Sequence, residues 1–151
     1  MIYHEEFSEP VVNYFKESDP FTLDELLGVM QALSGKVDFE SPFIHDLRDV
    51  DLPRLAADDM ENHILKFKHQ VQSTLENPCA FIVRDVGGLG KMRMWGVLAE
   101  ISGIRHEDLV LVTTEVEDAV EWVADKLHLS DPAELQALVV RAEQRALLSS
   151  R

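Results

Sequence analysis

Residues 79–103, CAFIVRDVGGLGKMRMWGVLAEISG, decide the fold. Ala80-Phe81-Ile82-Val83 is a short apolar run with a β-branched bias and no room for a helix before the glycines. Such a run reads as a strand buried on both faces. Gly87, Gly88 and Gly90 then mark a turn, and an amphipathic pattern runs on to Gly103, which is placed to end a helix. Strand, glycine turn and helix make the unit of a parallel α/β sheet, and such sheets place ligands at that turn.

The flanking chain repeats the alternation. Ile2–Phe7 and Val11–Lys16 read as a hairpin about Ser8-Glu9-Pro10, and Asp19-Pro20 ends its second strand. Thr22 and Glu25 form a capping-box pattern ahead of Leu23, Leu26, Leu27, Met30 and Leu33, a helix that should end at Gly35. Pro42–Leu47 resumes as a strand. Met60, Ile64, Phe67, Val71 and Leu75 then give a longer helix one apolar face, stopped by Asn77-Pro78. Leu109–Val112 is a further buried-type strand. Thr114 and Glu117 suggest a second capping box before Val116, Val120, Val123 and Leu127. Asp131, Pro132 and Glu134 open a last helix as N-cap, N1 and N3.

The order β-β-α-β-α-β-α-β-α-α predicts one α/β domain with a mainly parallel sheet, sequential βα units and an antiparallel edge strand from the N-terminal hairpin. Parallel strands are expected near 43–47, 80–84 and 109–113. The expected core includes Leu26, Met30, Ile44, Ile64, Phe67, Phe81, Val83, Leu98, Leu111, Val120 and Val123.

The chain resembles the SpoIIAA-like, STAS/SEC14-type family in several motifs taken in order. These are Thr22-Leu23-Asp24-Glu25-Leu26, Asp46-Leu47-Arg48-Asp49-Val50, the strand–turn–helix at 79–103 with Gly90 and Arg93, and Val116 to Val123. The resemblance covers residues 1–129, with 130–151 as a C-terminal helical extension of the same domain. It implies a small α/β domain that binds protein partners, as anti-sigma-factor antagonists do, or a nonpolar small ligand, as the SEC14 side suggests. Those antagonists carry a phosphorylatable serine in a D-S-S-G turn. Here the region reads Asp51-Leu52-Pro53-Arg54-Leu55, so no serine switch is expected.

Composition narrows the partners. The 151 residues hold 28 acidic and 14 basic side chains, a net charge of −14, which repels phosphate backbones and argues against nucleic acid. No apolar run reaches the roughly 20 residues of a membrane span, and the start has no secretory-signal pattern. With a single cysteine, Cys79, a reducing, cytoplasmic setting is expected.

Within 79–105 the balance reverses: Arg84, Lys91, Arg93 and Arg105 stand against Asp85 and Glu100. Basic residues at a helix N-terminus suit an anionic headgroup or carboxylate; the alternative is that Arg84 and Arg93 pair with Asp85, Asp46 or Asp49 and fix the turn. The expected ligand site is a cleft at the C-terminal strand ends bordered by Arg48, Arg84, Gly87, Gly88, Lys91, Arg93, Trp95 and Thr113. Met92, Met94 and Trp95 suit an apolar tail, or else the core.

Gly87-Gly88-Leu89-Gly90-Lys91 fails as a phosphate loop, because Asp85 and Met92 stand where glycine and Ser/Thr belong, and Arg93 spoils the dinucleotide fingerprint. No G-x-S-x-G elbow is present. His63 and His69 point roughly 120° apart on one helix and cannot share a metal; a solvated face is expected for Asp59 and His63, and a structural thiol for Cys79.

The reading is a non-enzymatic module binding a nonpolar or amphipathic anionic small molecule, with no cofactor and no metal. The alternatives are a protein-partner module without a ligand and a small enzyme using Asp46, Asp49 or Asp85 as acid/base. The apolar stripe Leu135, Leu138, Val139, Ala142 and Ala146 also suggests a homodimer through 132–148.

Overall fold

The computed structural model describes residues 1–71 and 73–150. In its first half the chain forms β1 (Ile2–Ser8), β2 (Val11–Ser18), α1 (Leu23–Leu33), β3 (Phe43–Asp49) and α2 (Ala57–Gln70). The second half adds β4 (Cys79–Ile82), α3 (Val86–Ile101), β5 (Val110–Thr113), α4 (Val116–Lys126) and α5 (Ala133–Ser149). Single 3₁₀ turns occupy Leu52–Arg54 and Glu107–Leu109.

β1 pairs antiparallel with β2, and every later neighbour is parallel, giving one α/β domain with the sheet order β1-β2-β3-β4-β5. Each βα unit advances the sheet by one strand, so α1, α2 and α3 fall on the same face. The run Ala80–Val83 is buried between β3 and β5, as its composition requires.

Alternation sorts the strand residues between two layers. Phe15, Phe43, Leu47, Cys79, Phe81 and Val83 face α1–α3. Val12, Tyr14, Ile44, Ala80 and Ile82 face α4 and α5. Of the expected core, Leu26, Phe67, Leu98 and Leu111 are half-buried at its margin and the others are buried.

Several boundaries differ from the sequence reading. α2 ends at Gln70, with Val71 extended, because Leu75 leaves the helix for an isolated parallel bridge to Arg105, its N–H donating to Ile104 O at 2.7 Å. The three glycines do not form a turn ahead of α3. They lie in its first turns, and Asp85 is the N-cap, accepting from Gly88 N at 3.0 Å. Gly103 does end that region, at φ 72°.

Thr114 caps nothing: Glu115 precedes α4, and the Thr113 hydroxyl accepts from Glu115 N. At α5 the cap position is Pro132, although the Asp131 carboxylate still accepts from Ala133 N. Leu109 belongs to a 3₁₀ turn, so β5 starts at Val110.

The apolar stripe of α5 is covered within the molecule. Leu135, Val139, Ala142 and Ala146 are buried, the first three in the layer with Val12 and Tyr14. Those four side chains are therefore not free for a second copy, while Val140, Leu147 and Leu148 of the same helix remain exposed.

Candidate functional site

The sequence pointed to the corner where β3 and β4 end, and the chain fills that corner itself. The 3₁₀ turn Leu52–Arg54 packs onto the start of α3, leaving a void of only about 10 Å³ beside Arg84, Asp85 and Gly88. The Lys91 ammonium donates to Leu55 O at 2.6 Å, and Arg84 Nε donates to Arg48 O at 2.8 Å. Asp85 sits where an anion would meet the helix N-terminus. Arg93 is exposed, with no side-chain partner among the described residues.

Arg48 belongs to a different cluster, on the α5 side of the sheet. It holds Asp46 through both carboxylate oxygens, at 2.9 and 2.7 Å, and reaches Glu143 at 2.9 Å. Lys16 completes the cluster, 3.3 Å from Asp46 and 3.0 Å from Asp49. Burial alone would push the Asp46 carboxyl up, but Arg48 and Lys16 outweigh it and hold it below the usual carboxylate range. The expected pairing of Arg84 and Arg93 with Asp85, Asp46 or Asp49 does not form: Arg84 meets a backbone carbonyl, and the ion-pair network is a different one, built on Arg48 and Lys16. Asp46, Asp49 and Asp85 are all committed to structural contacts. Thr113, at the end of β5, is buried and turns the chain into α4.

The other face of the sheet holds a cavity of about 50 Å³ beneath α1, α2 and α3. Leu26, Met30, Leu47, Phe81, Met92 and Trp95 supply apolar walls, with the Trp95 ring edge-on to Phe81 at 5.2 Å. Met92 and Trp95 are accordingly both core and cavity lining. The cavity shares Phe21, Leu23, Leu55 and His63 with an open groove, so these four side chains stand between it and that groove. That groove carries Asp19, Asp24, Asp51 and Asp59 against Arg54 and Lys66, so it does not gather anions.

Five polar side chains line this apolar space: Glu17, His45, His63, Cys79 and Arg105, each at most 4% exposed. Their placement follows from alternation. His45 lies between Phe43 and Leu47 along β3, and Glu17 is two residues beyond Phe15 on β2, so both turn toward α1–α3. The His45 ring stacks on Phe15 at 4.5 Å and on Phe81 at 5.2 Å, and its Nδ1 is 2.6 Å from Glu17 Oε1. Burial disfavours the imidazolium, but the Glu17 carboxylate and the Cys79 thiol more than compensate and raise His45 to about 10. His45 and Glu17 therefore form a buried ion pair.

Arg105 donates to Asn77 Oδ1 at 2.8 Å, and Asn77 is itself anchored to Ser41 O. Its Nε is buried without a partner among the described residues, as are Glu17 Oε2 and His63 Nδ1. Burial lowers the Arg105 guanidinium from its ordinary value, with only the Cys79 sulfur opposing. His63 is buried, not solvated as expected, and burial holds it down at about 4. Among the described residues no group of three or more His, Cys, Asp and Glu is placed to hold a metal ion. No helix of the described residues is long and apolar enough to cross a membrane.

Of the expected site residues, Arg84, Gly87, Gly88 and Lys91 come together around the 3₁₀ turn, Trp95 lines the cavity, and Arg48, Arg93 and Thr113 lie apart. The sequence reading missed Glu17, His45 and Arg105 as site residues. Their signal was a polar residue at an inward position of an apolar strand, or just before one. Comparison with family models, curated proteins and solved structures gives no match to this chain.

Proposed function

We propose that this protein is a non-enzymatic binding module for a small amphipathic anion, a carboxylate with a short apolar chain. The supporting observation is a buried Arg105 guanidinium with no carboxylate partner, lining a cavity whose other walls are mostly apolar side chains. An uncompensated buried charge costs several kcal/mol. A ligand carboxylate would remove that cost through charge-assisted hydrogen bonds, while its chain lies against Leu26, Met30 and Trp95. The volume admits about four water-sized groups, so a longer chain has to displace Phe21 or Leu23 and extend toward the groove. The SpoIIAA-like resemblance belongs with this reading, and nothing in it requires a serine switch.

The test is a titration of the reduced protein with straight-chain carboxylates from acetate to octanoate. It is followed by Trp95 fluorescence in a Trp122→Phe background, with native mass spectrometry of protein purified from its own host. Saturable binding should appear in the series, fall by roughly a hundredfold in Arg105→Met, and be unchanged in Arg93→Glu. Absence of binding at millimolar ligand, or binding indifferent to Arg105→Met, would reject the ligand. The protein-partner reading would then be preferred. Its support is the exposed stripe Val86, Val97 and Ile101 on the outer side of α3.

A further inference from the structure

We propose that Cys79 is a modification site for hydroperoxides, its thiol oxidised to a sulfenic acid inside the cavity with Glu17, His45 and Arg105 as the groups that receive the oxidant. This inference goes beyond ligand binding and does not depend on it. Cys79 on β4 and His45 on the neighbouring β3 line the same cavity, and His45 is paired through Nδ1 with Glu17 on β2. As an imidazolium, His45 has a second N–H besides the one Glu17 accepts. Arg105 faces the same space, so the sulfur lies among two cationic groups and one carboxylate.

Two further atoms make this a receiving site and not only a buried thiol. Arg105 Nε is an unused donor and Glu17 Oε2 an unused acceptor, on side chains 3% and 0% exposed. Buried groups of that kind ordinarily have partners. Hydrogen peroxide both donates and accepts hydrogen bonds, and its two heavy atoms fit within a volume of about 50 Å³. Only Phe21, Leu23, Leu55 and His63 stand between the cavity and the open groove, and a molecule of this size passes with small movements of those side chains.

The step balances within these groups. The Cys79 sulfur attacks the nearer peroxide oxygen, forming an S–O bond as the O–O bond breaks. The departing hydroxide takes a proton from His45 and leaves as water, and the thiol proton replaces it on His45. The sulfur is oxidised by two electrons, and the peroxide is reduced by the same two. Cys79 is the single cysteine of the chain, so no intrachain disulfide can follow.

The experiment uses the full reduced chain and stoichiometric hydrogen peroxide; timed aliquots are quenched with catalase and unfolded in urea containing dimedone, so that the trap reaches the sulfenic acid, and the adduct is measured by intact-mass spectrometry. The same chain unfolded in urea is the reference. A passive core thiol is shielded and reacts more slowly folded than unfolded. A receiving site reverses that order, so the expected result is faster adduct formation in the folded protein. Glu17→Gln and Arg105→Lys, with folding verified by thermal melting, should each slow the folded reaction by roughly tenfold or more while leaving the urea rate unchanged. A folded rate at or below the urea rate overturns the proposal. So does an equal rate in both folded variants, or oxidation to the sulfonic acid with no dimedone adduct.

Discussion

At the scale of single residues, His45 and His63 line one cavity with opposite protonation. His63 has only burial and weak neighbours, so it is held at about 4 and stays neutral in the folded chain. The unfolded chain, with an ordinary histidine value of 6.5, takes up a proton as pH falls from 6.5 to 4. Stability must therefore fall through that window, by up to about 3 kcal/mol. His45 works in the other sense. Raised to about 10, it keeps a proton that the unfolded chain releases above 6.5, so its contribution is complete below 6.5 and is lost as pH rises toward 10. Melting temperatures across this range should trace a dome. His63→Gln should flatten its acid limb without changing the alkaline one, and an acid limb of unaltered slope in that variant would reject the assignment. The sequence showed both histidines, but the motif-bearing loop drew the site to the cationic run 84–93. Nothing local marks Arg105 as unpaired, because that depends on which carboxylates the fold brings near it. What was legible was narrower: a histidine two residues from Phe43 and two from Leu47 must face a core.

At the scale of elements, the start of α3 shows why glycines recur there. A Cβ on Gly88 would lie 3.0 Å from Val83 Cβ and 3.3 Å from Leu52 Cδ1, so the residue is what lets α3 seat against β4 and the 3₁₀ turn. Val83 Cβ is fixed to the backbone and cannot move aside. The overpacking of about 1–3 kcal/mol therefore exceeds the gain of about 1 kcal/mol in helix propensity. Gly88→Ala should destabilise. Gly90, in the same helix and two residues on, has no atom within 4 Å of its would-be Cβ, so Gly90→Ala should stabilise by about 0.5–1 kcal/mol. Urea denaturation of the two variants should give shifts of opposite sign; two shifts of the same sign would reject the packing role. The glycines were read as a loop because three in four positions resemble a turn. The signal outweighing them was Asp85, an N-cap three residues before Gly88. Element types and order were otherwise legible, because strand runs and helix periodicities are local. The early end of α2 was not, since the bridge from Leu75 to Arg105 spans distant parts of the chain.

At the scale of the molecule, three βα units in sequence cover only one face of the sheet, and the other would be open without the last two helices. α4 lies against β4 and β5, while α5 crosses back to β1 and β2, its Leu135, Val139 and Ala142 packing in the layer with Phe7, Val12 and Tyr14. Two polar ties fix its position: Arg48 to Glu143 at 2.9 Å and Arg145 to Glu5 at 2.6 Å. The Arg145 pair is surface-exposed and contributes little, so apolar burial dominates. Tyr14 makes the dependence acute. It is fully buried, and its hydroxyl is within 3.4 Å of Asp46, beneath the Arg48 cluster that α5 completes. α5, Ala133–Ser149, therefore belongs to the cooperative unit and is not a removable tail. A chain ending at Leu129 would expose Val12 and Tyr14 on the sheet face that α5 covers. Losing about four buried side chains at 1.5–3 kcal/mol each is comparable to the whole stability of a domain this size. The truncated chain should lose cooperative thermal unfolding and bind a hydrophobic dye, whereas Arg145→Ala should melt close to the parent. A truncation that unfolds as sharply as the full chain, with unchanged near-ultraviolet dichroism, would show that the first 129 residues close their own core.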